Sequence, residues 1–199
     1  MVQLRNDTAR YGVVSITFHW LGATAILAML ATAGWIWNAP NDEVESARIQ
    51  LHASLGTLLY LIIAARIVWS WIEHKPEPLQ VEPGLTATAR LVHALLLLLV
   101  GAQLITGPLN VWSGGWPISA FGWFTIGSPF DGPQDWHDPM GDVHSISGFV
   151  LAGLVALHVA AALKHQFVDR DGTVLRMLGL YREPNTEGRA ANGDGAEEE

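Results

Sequence analysis

Between Asp142 and Asp169 runs VHSISGFVLAGLVALHVAAALKHQFV, residues 143–168. It is apolar, and longer than the ~20 residues, at about 1.5 Å each, that a bilayer crossing needs. Yet it carries three histidines, His144, His158 and His165. A polar ring is costly in hydrocarbon, so a histidine there is a functional hypothesis by default. His144 and His158 lie fourteen residues apart. That spacing is close to four helical turns and puts them on nearly one face, about 21 Å apart along the axis. His165 follows seven residues later on the same face. Small residues surround these positions: Ser145, Ser147, Gly148, Ala156, Ala160, Ala161 and Ala162. A flat porphyrin could lie against such a surface. A lone histidine would read as a buried polar group bonded to backbone. Two of them, a membrane depth apart on a face of small residues, read as ligands.

Half of the 199 residues are hydrophobic and 15% are charged, which excludes a disordered chain and fits a small membrane domain. Cysteine is absent. That excludes thiolate-bound iron–sulfur clusters, disulfides and covalent haem attachment together, so any haem is held non-covalently by His or Met. The formal net charge of −8 comes partly from an acidic C-terminal stretch. No basic tract suggests nucleic acid.

Three further apolar runs precede the first one quoted. Residues 13–37 are too long for the apolar part of a signal peptide, and Trp35 and Trp37 suit interfacial anchors. His19 lies near the start of this run. Residues 38–48 read as a short acidic loop with Pro40. The second span, 49–71, has His52 at its start and Arg66 near its end. A connector at 73–86 carries Pro76, Pro78 and Pro83, which stop helices. The third span, 88–112, has His93 early in it. Residues 113–141 are rich in Gly, Pro and Trp; Trp116, Trp123 and Trp136 place this stretch along the membrane interface. The final span is 143–167. Residues 169–181 read as a short amphipathic surface helix, and 182–199 as a disordered acidic tail. The expected architecture is therefore an all-α membrane protein, a four-helix transmembrane bundle occupying residues 1–181. With both termini and the second connector on one side, that side holds every Lys and Arg except Arg48. The positive-inside rule then places both termini in the cytoplasm.

This orientation sorts the histidines by depth. His52 and His144 lie toward the outside; His19, His93, His158 and His165 lie toward the inside. His74 and His137 fall in connectors, where surface roles are the simpler reading. His52 to Gly56 and His144 to Gly148 share the form H-x-x-x-G, with a glycine one turn below the ring to leave room for a macrocycle. One haem is expected between the second and fourth helices on His52 and His144. A second is expected between the first and fourth on His19 and His158, with His165 as a rival ligand closer to water. Arg66 and Lys164 are placed to pair with haem propionates. His93 and His165 read either as proton-exchanging groups at a quinone site, since imidazole titrates near neutrality, or as buried structural histidines. Asp131, Asp135, Asp138 and Asp142 around His137 read as a solvated acidic loop rather than a divalent-ion site.

Three segments resemble the bacterial cytochrome b561 family, which is related to the cytochrome b subunit of nickel–iron hydrogenases. They are RYGVVSITFHWLGA from Arg10, LHASLGTLLYLIIAARIVW from Leu51 and LHVAAALKHQFVDRDGTVLRML from Leu157. The likeness covers nearly the whole chain, from about Arg10 to Leu178, and its last segment is the most specific. It implies four core helices, two b-type haems with bis-histidine ligation, and electron exchange with a membrane quinone. Carried over by motif, the ligands are His19, His52, His144 and His158, and the family also has histidines matching His93 and His165. The departure is His137 in W-H-D-P-M, an extra histidine ahead of His144.

The function expected from these readings is transmembrane electron transfer through two b haems, coupled to quinone, in the cytoplasmic membrane of a bacterium. Lipid, quinone and a redox donor protein are the expected partners. Bis-histidine ligation leaves no open iron position, which argues against oxygen binding at iron. The outer loops hold seven acids (Asp42, Glu43, Glu45, Asp131, Asp135, Asp138, Asp142) against one arginine, a field that repels superoxide. General quinone-linked transfer is therefore favoured over superoxide oxidation. Service to a partner dehydrogenase is a variant of the same reading. A non-redox haem carrier is disfavoured because tight bis-histidine sites resist release.

Overall fold

A computed structural model describes residues 3–79 and 83–181 of the chain; the acidic tail expected at 182–199 lies outside the described residues. Four long helices make up most of it: α1 (Val13–Trp37), α2 (Asp42–Ile72), α3 (Pro83–Ser113) and α4 (His137–Lys164). Each contains a window of mean hydropathy 1.8 or, in α4, 2.2, and each is long enough to cross a bilayer. Their apolar side chains cover the outside of the bundle; Leu61 and Trp71 are each 77% exposed. Apolar surface on that scale belongs against lipid. At one end of the bundle α1 and α3 begin and α2 and α4 finish. This is called the terminal end here, and the opposite end the hairpin end.

The expected loop at 38–48 is mostly helix. Asn41 accepts the Val44 N–H at 3.0 Å, and Asp42, Glu43 and Glu45 fill the first turn of α2. A side-chain cap and carboxylates beside the positive end of the helix dipole extend α2 beyond its apolar run. The segment at 113–141 is also more ordered than a bare interfacial loop. Its centre is an antiparallel pair, β1 (Ile118–Ala120) and β2 (Phe124–Ile126), with Ser119 opposite Thr125. Phe121 and Gly122 both have positive φ, 52° and 75°, and Trp123 N–H bonds Ala120 O at 2.9 Å, as in the primed turns that suit strand twist. The hairpin is tied to α2 by one buried side chain: Ser54 donates to Ser119 O at 2.8 Å and accepts from Phe121 N–H at 3.2 Å. α4 starts at His137, ahead of Pro139 and Gly141, because the N–H that proline lacks has no helical partner in a first turn. Past Lys164 comes one π-helical turn (His165–Asp169), and the expected helix at 169–181 is only the five residues of α5 (Thr173–Met177).

Close backbone packing pairs α1 with α2 and α3 with α4. α2 and α3 meet less closely, and α4 has no comparable packing against α1 or α2. The bundle is thus two helical hairpins with a looser seam between them. Ala25, Ile63, Val100 and Leu151, one from each helix, form the buried core at mid-depth. Leu151 lies midway between His144 and His158, so this apolar layer separates two levels of histidine.

Candidate functional site

At the hairpin end, His52 of α2 and His144 of α4 face each other across the seam, ring centroids 6.4 Å apart and planes at 81°. Each ring is held by a threonine from the neighbouring helix. His52 Nδ1 lies 2.7 Å from Thr32 Oγ1 of α1, and His144 Nδ1 lies 2.9 Å from Thr106 Oγ1 of α3. Backbone carbonyls compete for the hydroxyl protons. Thr32 donates to Met29 O at 2.9 Å and Ala28 O at 3.1 Å, and Thr106 donates to Ala102 O at 2.8 Å. A hydroxyl has one proton to give. With that proton on the carbonyl, each threonine accepts toward the imidazole and each Nδ1 donates. In that arrangement both rings are the Nδ1–H tautomer and both Nε2 lone pairs are free. Gln103 of α3 adds a clamp on the backbone of α4, donating to His144 O at 3.0 Å and Ser147 Oγ at 2.7 Å.

The spacing discriminates between two uses of such a pair. Imidazoles bonded end to end would have centroids about 5 Å apart, from an N···N contact of about 2.9 Å plus two ring radii. Two imidazoles sharing a first-row metal, with nitrogens about 2 Å from it, would stand just over 6 Å apart. The observed 6.4 Å matches the second, and no hydrogen bond joins the two rings. Donor chemistry, tautomer and spacing all fit a haem iron between His52 and His144.

The terminal end repeats the spacing with different neighbours. His19 of α1 and His158 of α4 have centroids 6.4 Å apart with planes at 61°. His93 of α3 stands 5.3 Å from His158, so three helices contribute rings. Instead of a hydroxyl, His19 Nδ1 meets Arg66 Nη2 of α2 at 3.3 Å. A guanidinium only donates, so here Nδ1 accepts and a neutral ring carries its proton on Nε2. Ligation through Nε2 requires that proton on Nδ1 and the guanidinium turned toward another acceptor. The arginine stem lies in a slot on α1 at Gly22, where a Cβ would collide with Arg66 Cδ. The pair spacing fits a haem iron here as well.

The other expected residues divide into groups. Gly56 lets Met29 of α1 come close, whereas a side chain at Gly148 would meet Gln103 of α3 at ordinary contact distance. Lys164 pairs with Asp169 at 2.6 Å. His165, in the π-helical turn, lies 2.6 Å from Asp171 Oδ2 and 3.3 Å from Asp169 Oδ2. Donor atoms of His165, Asp169 and Asp171 lie within 4.8 Å of one another, close enough for an ion, with Lys164 already on Asp169. A groove beside this turn is lined by Gln166, Phe167, Arg170, Gly172 and Leu175. His137 is half-buried: its Nδ1 is 2.9 Å from Ser113 Oγ and its ring packs edge-on against Trp116. His74 is exposed. Thr32, Thr106 and Gln103 were not singled out by sequence; Thr32 and Thr106 lie on α1 and α3, the neighbours of the helices that carry His52 and His144.

The terminal end is closed by polar contacts. Arg176 of α5 is buried; it donates to Ala9 O and, at 2.8 Å, to Glu77 O, with Tyr11 and Tyr181 on its faces. Glu73, just past α2, accepts from the Arg5 guanidinium at 2.8 Å and from Asn6 N–H at 2.9 Å. The Arg5 bond first, and the Asn6 bond second, hold its carboxyl below the usual value of 4.5.

Comparison with known proteins agrees with this geometry. The family described as prokaryotic cytochrome b561 matches residues 10–180. A protein named cytochrome b561 homolog 2, from Escherichia coli (strain K12), is 36% identical over 176 residues, covering 87% of this chain and 94% of that protein. One named probable superoxide oxidase CybB, from Yersinia pestis, is 23% identical over 175 residues, covering 87% of this chain and 98% of its own. Four apolar helices, facing histidines at two depths and a match over nearly the full length lead to one assignment: the chain belongs to the prokaryotic cytochrome b561 family of membrane electron-transfer proteins, which carry b-type haem.

Proposed function

We propose that this chain is a di-haem b-type cytochrome that carries electrons across the bacterial cytoplasmic membrane in exchange with quinone. The observation that supports this most is the pair of facing histidine couples, His52 with His144 and His19 with His158, each at 6.4 Å. In this reading the cytochrome domain takes in residues 1–181, with spans at about 13–37, 49–71, 88–112 and 143–167 and both termini cytoplasmic. When bound, haem supplies one-electron chemistry that no side chain offers. Thr32 and Thr106 orient the outer rings and keep Nε2 available. The layer of Ala25, Ile63, Val100 and Leu151 keeps water from the path between the levels. On the cytoplasmic side His93 and His165 exchange the protons that quinone chemistry needs. The contact between His165 and Asp171 supports this role, because a carboxylate on Nδ1 orients the ring.

A second reading is superoxide oxidation coupled to quinone, favoured by the printed name of the Yersinia pestis relative. Against it, Asp42, Glu43, Glu45, Asp131, Asp135, Asp138 and Asp142 are all exposed at or near the hairpin end, where they repel an anion. A neutral or cationic donor, or a donor protein, suits that surface better. The test is optical. Purified protein reduced by dithionite should show a b-type spectrum and be reoxidised by added quinone without oxygen. A reduced spectrum indifferent to quinone would contradict the coupling. Reduction by superoxide at least as fast as by a cationic donor would favour the second reading.

A further inference from the structure

The two histidine levels differ in what stands against their rings, a guanidinium at one and hydroxyls at the other. Arg66 sits within α2, six residues before its end at Ile72 and in the seam near α4, and its guanidinium reaches His19. None of the ion pairs among the described residues includes Arg66. At the hairpin end the matching neighbours are the neutral hydroxyls of Thr32 and Thr106. Arg48, the basic residue of that end, donates to Trp35 O at 2.5 Å and lies over the Trp35 ring, away from both histidines. Arg66 thus stands against one member of the terminal-end pair. The other level is about 21 Å away along α4, taking 1.5 Å for each of fourteen residues. Coulomb attraction falls with distance, and it is screened weakly in an apolar interior. The fixed cation therefore favours an added electron at one level far more than at the other.

We infer that Arg66 sets the direction of electron flow: it makes the terminal-end haem site the one of higher reduction potential, so electrons pass from the hairpin end toward the termini. With haem held by His52 and His144 and by His19 and His158, one electron would pass from the first site to the second, with no proton moved. This rests on the two-haem reading above. Pairing of Arg66 with a haem carboxylate leaves the sign unchanged, because removing the arginine would then uncover that anion. The slot at Gly22 gives the idea a positional component, since a larger residue there displaces the stem without removing the charge.

The test is potentiometry followed by optical spectra on the haem-loaded protein, with haem per chain measured on the same samples. His52→Ala, which keeps the terminal-end ligands, identifies that site's component. In the wild type this component should be the higher of two. Arg66→Gln should shift it down toward the lower one, Arg66→Lys should hold it near its original place, and Gly22→Ala should shift it down by less. Where Arg66→Gln fails to retain its haem, Gly22→Ala decides on the same reading. A terminal-end component that is the lower in wild type, or that stays put in Arg66→Gln or, failing that, in Gly22→Ala, overturns the inference. One haem per wild-type chain overturns the two-site reading and this inference together; two haems with an unmoved potential overturn the inference alone.

Discussion

The hairpin end and the terminal end of this bundle hold the same object in different surroundings. Each has two imidazoles, one from α4, with centroids 6.4 Å apart across the seam. At the hairpin end both rings donate to threonine hydroxyls whose own protons are committed to backbone carbonyls. At the terminal end a ring nitrogen faces a guanidinium, and a third ring, His93, stands 5.3 Å from His158. The first arrangement pairs each ring with a neutral hydroxyl. The second has a cation and an additional titratable ring. What separates the two pairs is therefore what touches Nδ1 of their rings.

The strongest way to break this comparison is to remove rings. His52→Ala and His144→Ala should each lose one of two haems, and with the same spectral change, because either leaves iron with one face empty. His19→Ala and His158→Ala should lose the other. His137→Ala should keep both, since Ser113 and Trp116 already hold that ring. Haem per chain by pyridine haemochrome checks all five. Loss of the hairpin-end haem in His137→Ala with retention in His144→Ala would move the ligand. The next effect belongs to the terminal end alone. His93→Ala or His165→Ala should retain both haems yet slow quinone turnover per haem by about 10²-fold, the lower range for general acid–base groups. Lower haem content or thermal stability with unchanged turnover per haem would instead make these rings structural.

Much of the comparison was legible in the sequence, and the unreadable part has physical causes. The spans follow from apolar length, and the first one expected, 13–37, coincides with α1. Fourteen-residue spacing put His144 and His158 on one face without knowledge of a partner. The start of α2 was readable and missed, because Asn41 followed by three acids is a capping signal that an apolar-length argument ignores. The hairpin was hidden for a better reason. Its strands have three residues each, and Ser54, its anchor on α2, is a tertiary contact. Thr32 and Thr106 were hidden for a third. Threonines in apolar helices routinely bond the carbonyl a turn behind, as Thr57 does with Ala53 O at 2.8 Å and no imidazole near. Only the folded arrangement shows which hydroxyls also meet a histidine. The contact between Arg66 and Gly22 is of the same kind.

Smaller effects sharpen the contrast. Thr32→Val and Thr106→Val keep side-chain shape and remove the acceptor for Nδ1. They should weaken haem retention at the hairpin end by about 10- to 100-fold, the usual scale for partners of metal-bound histidine, and leave the terminal end alone. Haem dissociation to an apoglobin acceptor measures this; equal loss from both ends would refute separate control. The smallest effect concerns the polar closure of the terminal end. Glu73 has a folded pKa below its ordinary value of 4.5, so the stability it contributes is full above that value and is lost as pH falls through the folded one. Wild-type melting temperature should fall across that acid window, and Glu73→Gln should show less of this fall. An identical pH dependence in both would remove Glu73 from the closure.

The central claim is that two equivalent histidine pairs at two depths hold two haems. Haem per chain in purified wild-type protein tests it most directly, by pyridine haemochrome against an independent protein determination. The account predicts a ratio of two. A ratio near one in fully loaded protein would mean that one of the 6.4 Å pairs, despite its spacing, holds no iron.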